Sequence, residues 1–215
     1  MLNRKEILRY LGAENSGNAL NHMIERAERE IIAASHPKHV YKLINVEIEN
    51  KSLILGHVTI ESKDLAQHLQ GCREAFLFAI TLGPNVDSLI KRYTYTEMSM
   101  LPVLQAVAST YIEHCANMAQ KELEKYAVHH SSFLRPRFSP GYGDFPLHYQ
   151  RLLFNILDIS KKIGVSLTES YLMIPSKSIT AVIGLSDDPS QCHINRCMNC
   201  NNKSCPFRKD ELCNE

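Results

Sequence analysis

Six consecutive apolar residues, Ala75-Phe76-Leu77-Phe78-Ala79-Ile80, lie between Glu74 and a Gly83-Pro84 break. An amphipathic helix would repeat its apolar positions every three or four residues, and a half-exposed strand would alternate. A short unbroken run that ends at turn residues reads instead as a strand buried on both faces. The segment Glu74 to Leu82 is therefore expected at the centre of a sheet, with apolar cover on either side. At 215 residues the chain has the length for one large domain, or one domain with a small appendage.

The flanking patterns supply that cover. Asn3 to Tyr10 reads as a short helix stopped near Gly12, and Leu20, Met23, Ile24, Ala27, Ile31 and Ile32 fall at helical spacing up to Pro37. Val40 to Glu49 and Ser52 to Ile60 read as two strands joined at Asn50-Lys51. Ser62 is placed to cap a short helix through Leu69. Val86, Leu89 and Ile90 mark a helix after Pro84. The longest element should run from about Met100 to Tyr126, with Leu104, Val107, Ala108, Tyr111, Ile112, Cys115, Ala119 and Leu123 as its buried stripe and Pro102 in the first turn. His129 to Gly143 lacks periodicity and reads as a loop. Asp144 and Pro146 start a helix to about Ile163, with Gly164 just beyond its end. A hairpin should follow, Leu167 to Met173 and Ser178 to Leu185, turning at Pro175-Ser176-Lys177 and directing Ile179, Ala181, Ile183 and Leu185 to one side. Strands in pairs, rather than in strict alternation with helices, indicate an α+β fold with a mainly antiparallel sheet and long packed helices. The expected division is a main domain over 1–186 and a small tail over 187–215.

Composition excludes some functions. A formal net charge of +1, with no long lysine or arginine block, argues against a nucleic-acid surface. No apolar run approaches eighteen residues, and the amino terminus starts within a helical pattern, so neither a membrane span nor a signal peptide is expected. The chain is expected in the cytoplasm, where disulfides do not persist.

Within the loop, Arg137-Phe138-Ser139-Pro140-Gly141-Tyr142 carries unusual chemistry. Arginine is a permanent, forked donor for a carboxylate. Pro140 stiffens the segment and keeps Ser139 extended. Gly141 admits a ligand or a second backbone where a Cβ would collide. Tyr142 offers an apolar face with a hydroxyl tip. These residues suit a ligand lying along backbone and clamped at one end.

The tail is chemically distinct. Cys192, Cys197, Cys200 and Cys205 stand at C-x4-C-x2-C-x4-C spacing. Four close thiolates repel one another unless they share a cation, so this density reads as a metal cage. Zinc would take it as a tetrahedral site. An iron–sulfur cluster would also fit, since C-x4-C-x2-C coincides with the plant-type ferredoxin run. The segment is short and, with His193 and Phe207 alone, is poorer in histidines and aromatics than many zinc modules, which favours iron–sulfur; His193 could replace a cysteine as ligand. Cys72 and Cys115 read as packing residues.

Residues from about Ala75 to Leu185 resemble the reactivation (activation) domain of cobalamin-dependent methionine synthase, in a free-standing version with a C-terminal cysteine cluster. The matching elements are Phe78-Ala79-Ile80-Thr81-Leu82-Gly83, the helix with Ala106-Val107-Ala108 leading to Glu113, Arg137-x-x-Pro140-Gly141-Tyr142, and Pro146-x-His148. Lys162-x-Gly164-x-x-Leu167-Thr168-Glu169-Ser170 and Met173-x-Pro175 follow in the family's order. Three features depart from it: a ligand-binding aspartate near the amino terminus has no counterpart, a tyrosine pair after the last strand is missing, and a helix position that is acidic in the full-length enzymes is Ser109.

The resemblance implies reductive reactivation. The domain would dock over a corrin carried by a partner methionine synthase subunit and present S-adenosylmethionine to the cobalt. An external one-electron donor such as flavodoxin or ferredoxin would reduce cob(II)alamin, and methyl transfer would trap the product. The chain would then be an auxiliary component of a methyltransferase rather than a stand-alone catalyst, contributing orientation. By the same resemblance Arg137 would hold the ligand's carboxylate, backbone around Phe138 to Gly141 would line it, and Glu113 would face its ammonium or sulfonium. Tyr142, Met173, Pro175, Ser176 and Ser178 would face the corrin, while Glu169 and Ser170 would brace the site and His148 would be structural. An iron–sulfur tail would extend the role to electron relay. The alternative is a metal-stapled binding or electron-transfer module acting on a corrinoid protein, with a vestigial S-adenosylmethionine site.

Overall fold

The computed structural model describes residues 2–189 apart from 14, 16, 50, 51, 56 and 57. The Glu74–Leu82 expectation is met by β4 (Cys72–Thr81), which lies between β1 (Lys38–Glu49) and β8 (Ser178–Ser186). The antiparallel sheet continues outward through β2 (Ser52–Leu55) and β3 (Val58–Glu61) on one side and β5 (Phe133–Leu134) on the other, in the order β3-β2-β1-β4-β8-β5.

Side chains of β4 alternate between two cores, as the pleat requires. Phe76, Phe78 and Ile80 join Ala181, Ile183 and Leu185 under α1 (Arg4–Leu11), α2 (Asn18–Ala34), α4 (Pro84–Thr96) and α5 (Leu101–His129). Ala75, Leu77 and Ala79 face the opposite core with Val182 and Phe138, closed by α3 (Lys63–His68), α6 (Gln150–Leu157) and α7 (Ile159–Ile163). This α+β arrangement is the fold class read from the sequence, and the whole predicted stripe of α5 belongs to the first core.

Local signals account for most element ends. Asn3 caps α1 by accepting the Glu6 N–H, and Gly12 ends it in the left-handed region at φ 66°. Gly184 marks a close approach within β8. A Cβ there would sit 2.7 Å from Leu69 Cδ2 and 2.8 Å from Cys72 Sγ, so only glycine lets α3 and the start of β4 come this near.

Three segments differ from the sequence reading. Ser52 to Ile60 is not one strand: Leu55 pairs with Val58, so the run folds back into β2 and β3. The helix expected from Asp144 to Ile163 is a 3-10 turn (Leu147–Tyr149), then α6, then α7, broken at Asp158 with φ 57° and ψ 40°. Leu157 and Ile159 are both fully buried, and one straight helix would point them about 200° apart. The left-handed residue between them lets both face the sheet.

The expected hairpin from Leu167 to Leu185 also resolves differently. Ser166–Leu167 (β6) and Met173–Ile174 (β7) form their own two-stranded ribbon, and β8 pairs with β4 and β5 instead. Thr168 closes the intervening loop, since its N–H donates to Leu172 O and its Oγ1 accepts the Leu172 N–H. The loop's backbone hydrogen bonds are thus satisfied locally, leaving no ladder for β8 to join.

Candidate functional site

The segment read as a loop continues past β5 along the free edge of β8. Arg135 N–H donates to Gly184 O, and Phe138 and Val182 exchange both backbone hydrogen bonds. Extended backbone sends consecutive side chains to opposite faces. Phe138 enters the second core, 5% exposed, with its ring beside His68 and Phe145. Arg137 points the other way, onto α5.

There its guanidinium meets a line of polar side chains along one face of the helix. Nη1 donates to Gln120 Oε1 at 2.8 Å, while Nη2 donates to Glu113 Oε2 at 2.8 Å and to Asn117 Oδ1 at 2.7 Å. Ser109, Glu113, Asn117 and Gln120 recur at helical spacing and so share one face. Glu113 is close enough to α1 that its charge, with that of Glu6 and with burial as the leading cause, raises the Tyr10 hydroxyl pKa. Glu113 and Arg137, both expected to contact the ligand, are thus joined directly.

Beyond Phe138 the chain turns sharply. Tyr142 N–H donates to Ser139 O across Pro140 and Gly141, and Gly141 adopts φ 95°, the proline–glycine pattern of a type II turn. A Cβ at Gly141 would touch Leu147 Cδ1 at 3.4 Å, so both conformation and space favour glycine. Tyr142 is thrust outward, 64% exposed, its side chain making no hydrogen bond or ring contact among the described residues.

This turn is fixed from behind by a reciprocal cap. The Asp144 carboxylate accepts the N–H groups of Lys63 and Asp64 and the Ser62 hydroxyl, while Asp64 Oδ2 accepts the Asp144 N–H. Ser62 Oγ takes the Leu65 N–H, so the first turn of α3 is satisfied by two capping side chains. These hydrogen bonds, with that of Ser62 the largest cause, hold the Asp144 pKa below the usual carboxylate range. A carboxyl that is more acidic folded than unfolded stabilises the fold above its unfolded pKa, near 3.9, and loses that effect as pH falls through the lower folded value. Asp144→Ala should therefore cost about 1 kcal/mol at pH 7 in urea unfolding. The gap from wild type should narrow as the pH is taken below about 4, and a gap independent of pH would contradict the charged cap.

The expected corrin-facing residues lie on a second braced loop. Met173 is half-buried in β7, Ile174 is exposed, and Pro175 is buried. Ser176 donates from N–H and Oγ to the two oxygens of Asp87 on α4, both at 2.7 Å. Lys177 O accepts the Leu82 N–H, and Ser178 Oγ lies 2.8 Å from both Pro175 O and Thr81 Oγ1. The Lys177 side chain turns inward and donates to Ser109 Oγ at 3.0 Å, linking this loop to the α5 stripe. Burial lowers the pKa of its ammonium, and the Asp87 charge only partly opposes that shift.

Of the remaining expected residues, Ser170 Oγ is 3.0 Å from Thr168 Oγ1, Glu169 is exposed beside it, and His148 stands next to Tyr149 and Tyr171. Sequence reasoning missed Asn117, Gln120, Asp87 and Lys177. The first two had a readable signal, helical spacing in line with Ser109 and Glu113. Cys192, Cys197, Cys200 and Cys205 lie outside the described residues. Among the described residues no group of three or more His, Cys, Asp or Glu is placed to hold a metal, and neither Cys72 nor Cys115 is in a disulfide. No helix among the described residues is long and apolar enough to cross a membrane.

Comparison with known proteins agrees with the architecture. A solved structure described as "Crystal Structure of the MetH Reactivation Domain bound to AdoHcy" superposes with a TM-score of 0.63 at 17% identity, covering 85% of this chain and 70% of that one. At that identity the similarity concerns the fold. The family model for "Vitamin B12 dependent methionine synthase, activation domain" matches residues 65–204, a span from the start of α3 that takes in the α5 stripe, the Arg137 segment and the Lys177 loop. The chain therefore belongs to the activation-domain family of vitamin B12-dependent methionine synthase.

Proposed function

We propose that this chain is an accessory subunit for reductive reactivation of a corrinoid methionine synthase. It would take the partner's cobalamin in the cob(II)alamin state and, with one electron from an external donor such as flavodoxin or ferredoxin, promote methyl transfer from S-adenosylmethionine. The products are methylcobalamin and S-adenosylhomocysteine. The observation that supports this reading most is the family match over residues 65–204, which spans both braced loops and the helix between them.

The work left to the chain is placement. Methyl transfer from a sulfonium to a strongly nucleophilic reduced cobalt needs no general base, so rate comes from holding the reacting centres close and aligned. Arg137, Phe138, Gly141 and Tyr142, with Glu113 opposite, would line the ligand. Tyr142, Met173, Pro175, Ser176 and Ser178 would face the corrin. The braces support such a role, since Asp144 and Asp64 fix the turn that presents Tyr142 and Asp87 fixes Ser176. The cysteine tail over 187–215 would hold zinc or an iron–sulfur cluster on its four thiolates, whose donor chemistry suits either. Metal analysis of anaerobically prepared protein separates these two outcomes.

The direct test is reconstitution. The full chain, a cob(II)alamin-loaded methionine synthase lacking its own activation domain, reduced flavodoxin and S-adenosylmethionine should yield methylcobalamin, followed by its visible absorbance. Omitting the chain should abolish the change. An equal rate without it would overturn the reading.

A further inference from the structure

Two cations approach the α5 stripe, and they are satisfied very differently. Both protons of Arg137 Nη2 are committed, one to Glu113 and one to Asn117, and Nη1 donates to Gln120. A guanidinium grips a carboxylate through a side-on fork of Nε and Nη2 or an end-on fork of Nη1 and Nη2. Each fork needs an Nη2 proton, so Arg137 as it stands offers an incoming carboxylate single contacts only.

Lys177 is in the opposite condition. Its ammonium is half-buried and donates to a neutral hydroxyl, Ser109 Oγ. The carboxylates near it are engaged elsewhere: Asp87 by the N–H and hydroxyl of Ser176, and Glu113 by Arg137. A desolvated charge without an ionic partner is unfavourable, and an anion brought to it relieves that cost. Ser109 and Glu113 are one helical turn apart on the same face, a rise of about 6 Å. The open cation therefore lies beside the closed one, on the same face of α5.

We propose that Lys177 is a specificity-determining residue of the ligand site, giving the ligand's carboxylate the ionic contact that Arg137 alone does not complete. This rests on the activation reading above, because it takes S-adenosylmethionine as the ligand. Its consequence for recognition is definite. The site would select a ligand with an anionic amino-acid end over one that lacks the carboxylate, since the Lys177 ammonium then gains no ionic contact from the ligand. Asp87 contributes indirectly, as a positioning residue, by fixing the loop from which Lys177 reaches inward.

The test is calorimetric titration of the full chain, prepared anaerobically, with S-adenosylmethionine and with its decarboxylated analogue. Lys177→Met should weaken S-adenosylmethionine at least tenfold, the usual loss for a charged hydrogen bond, and should leave the analogue no weaker than in wild type. Lys177→Arg, which keeps the charge, should retain most of the affinity. Thermal unfolding of each variant checks the fold, and Lys177→Gln carries the test should the methionine variant not fold. Equal losses for both ligands, or unchanged binding of S-adenosylmethionine, would overturn the assignment while leaving the activation reading intact. Wild-type protein that takes up neither ligand at millimolar concentration would overturn both.

Discussion

Phe78→Ala should destabilise the protein by about 3–5 kcal/mol, a loss at the upper end for a single side-chain truncation. Phe78 is fully buried on the central strand and points into the core shared by α1, α2, α4 and α5. Its backbone pairs with Tyr41 on one side and Ala181 on the other, so the strand cannot shift to fill the space. Transfer and cavity terms then add. Against a total of about 5–15 kcal/mol for a typical domain, such a loss removes a large share of the stability. Urea unfolding should show a lower midpoint with an unchanged slope. A loss under about 1 kcal/mol would mean that the layers around β4 repack freely.

Arg137→Ala should lower the affinity for S-adenosylmethionine more than tenfold, a charged contact being worth about 1.5–3 kcal/mol. Stability should change far less. The guanidinium is mostly buried, but its acceptors are solvated, and the Glu113 side chain is 46% exposed and able to take water in its place. Exposed ion pairs contribute about 0–1 kcal/mol. The variant thus separates recognition from folding: calorimetry should register a large change and thermal unfolding a small one. Comparable binding in wild type and variant would remove Arg137 from the ligand site and leave it as a fastener between the β8 edge and α5.

The elements that read correctly are those whose burial is set by local pattern. β4 announced itself by an unbroken apolar run, α5 by a stripe at helical spacing, α1 by its stop at Gly12 and α3 by Ser62 at its cap. The segments that read poorly depend on partners far away in the chain. Leu157 and Ile159 looked like successive positions of one helix, because nothing nearby shows that both must reach the same sheet. Thr168 to Leu172 was read as part of a strand, yet its backbone closes on itself.

The candidate site divides along the same line. Arg137, Gly141 and Tyr142 were recognisable from their chemistry. Asp87, 89 residues from Ser176, and Lys177, 68 residues from Ser109, carry no local sign of their roles. Glu113 was chosen by resemblance, while Asn117 and Gln120 beside it were passed over, although the polar line through α5 was visible. Sequence alone could not show that Arg137 already holds three acceptors, since that fact depends on which way an edge residue points.

That orientation constrains how the molecule can change over time. Arg137 and Phe138 are neighbours on an extended segment locked in register by the Phe138–Val182 bridge, one serving the polar face of α5 and the other the opposite core. Inserting or deleting one residue between Phe133 and Phe138 would exchange their faces, driving a guanidinium into an apolar core and a phenyl ring onto the polar face of α5. Substitutions here can retune that face one residue at a time. Changes of length cannot, and indels during divergence should fall outside this stretch.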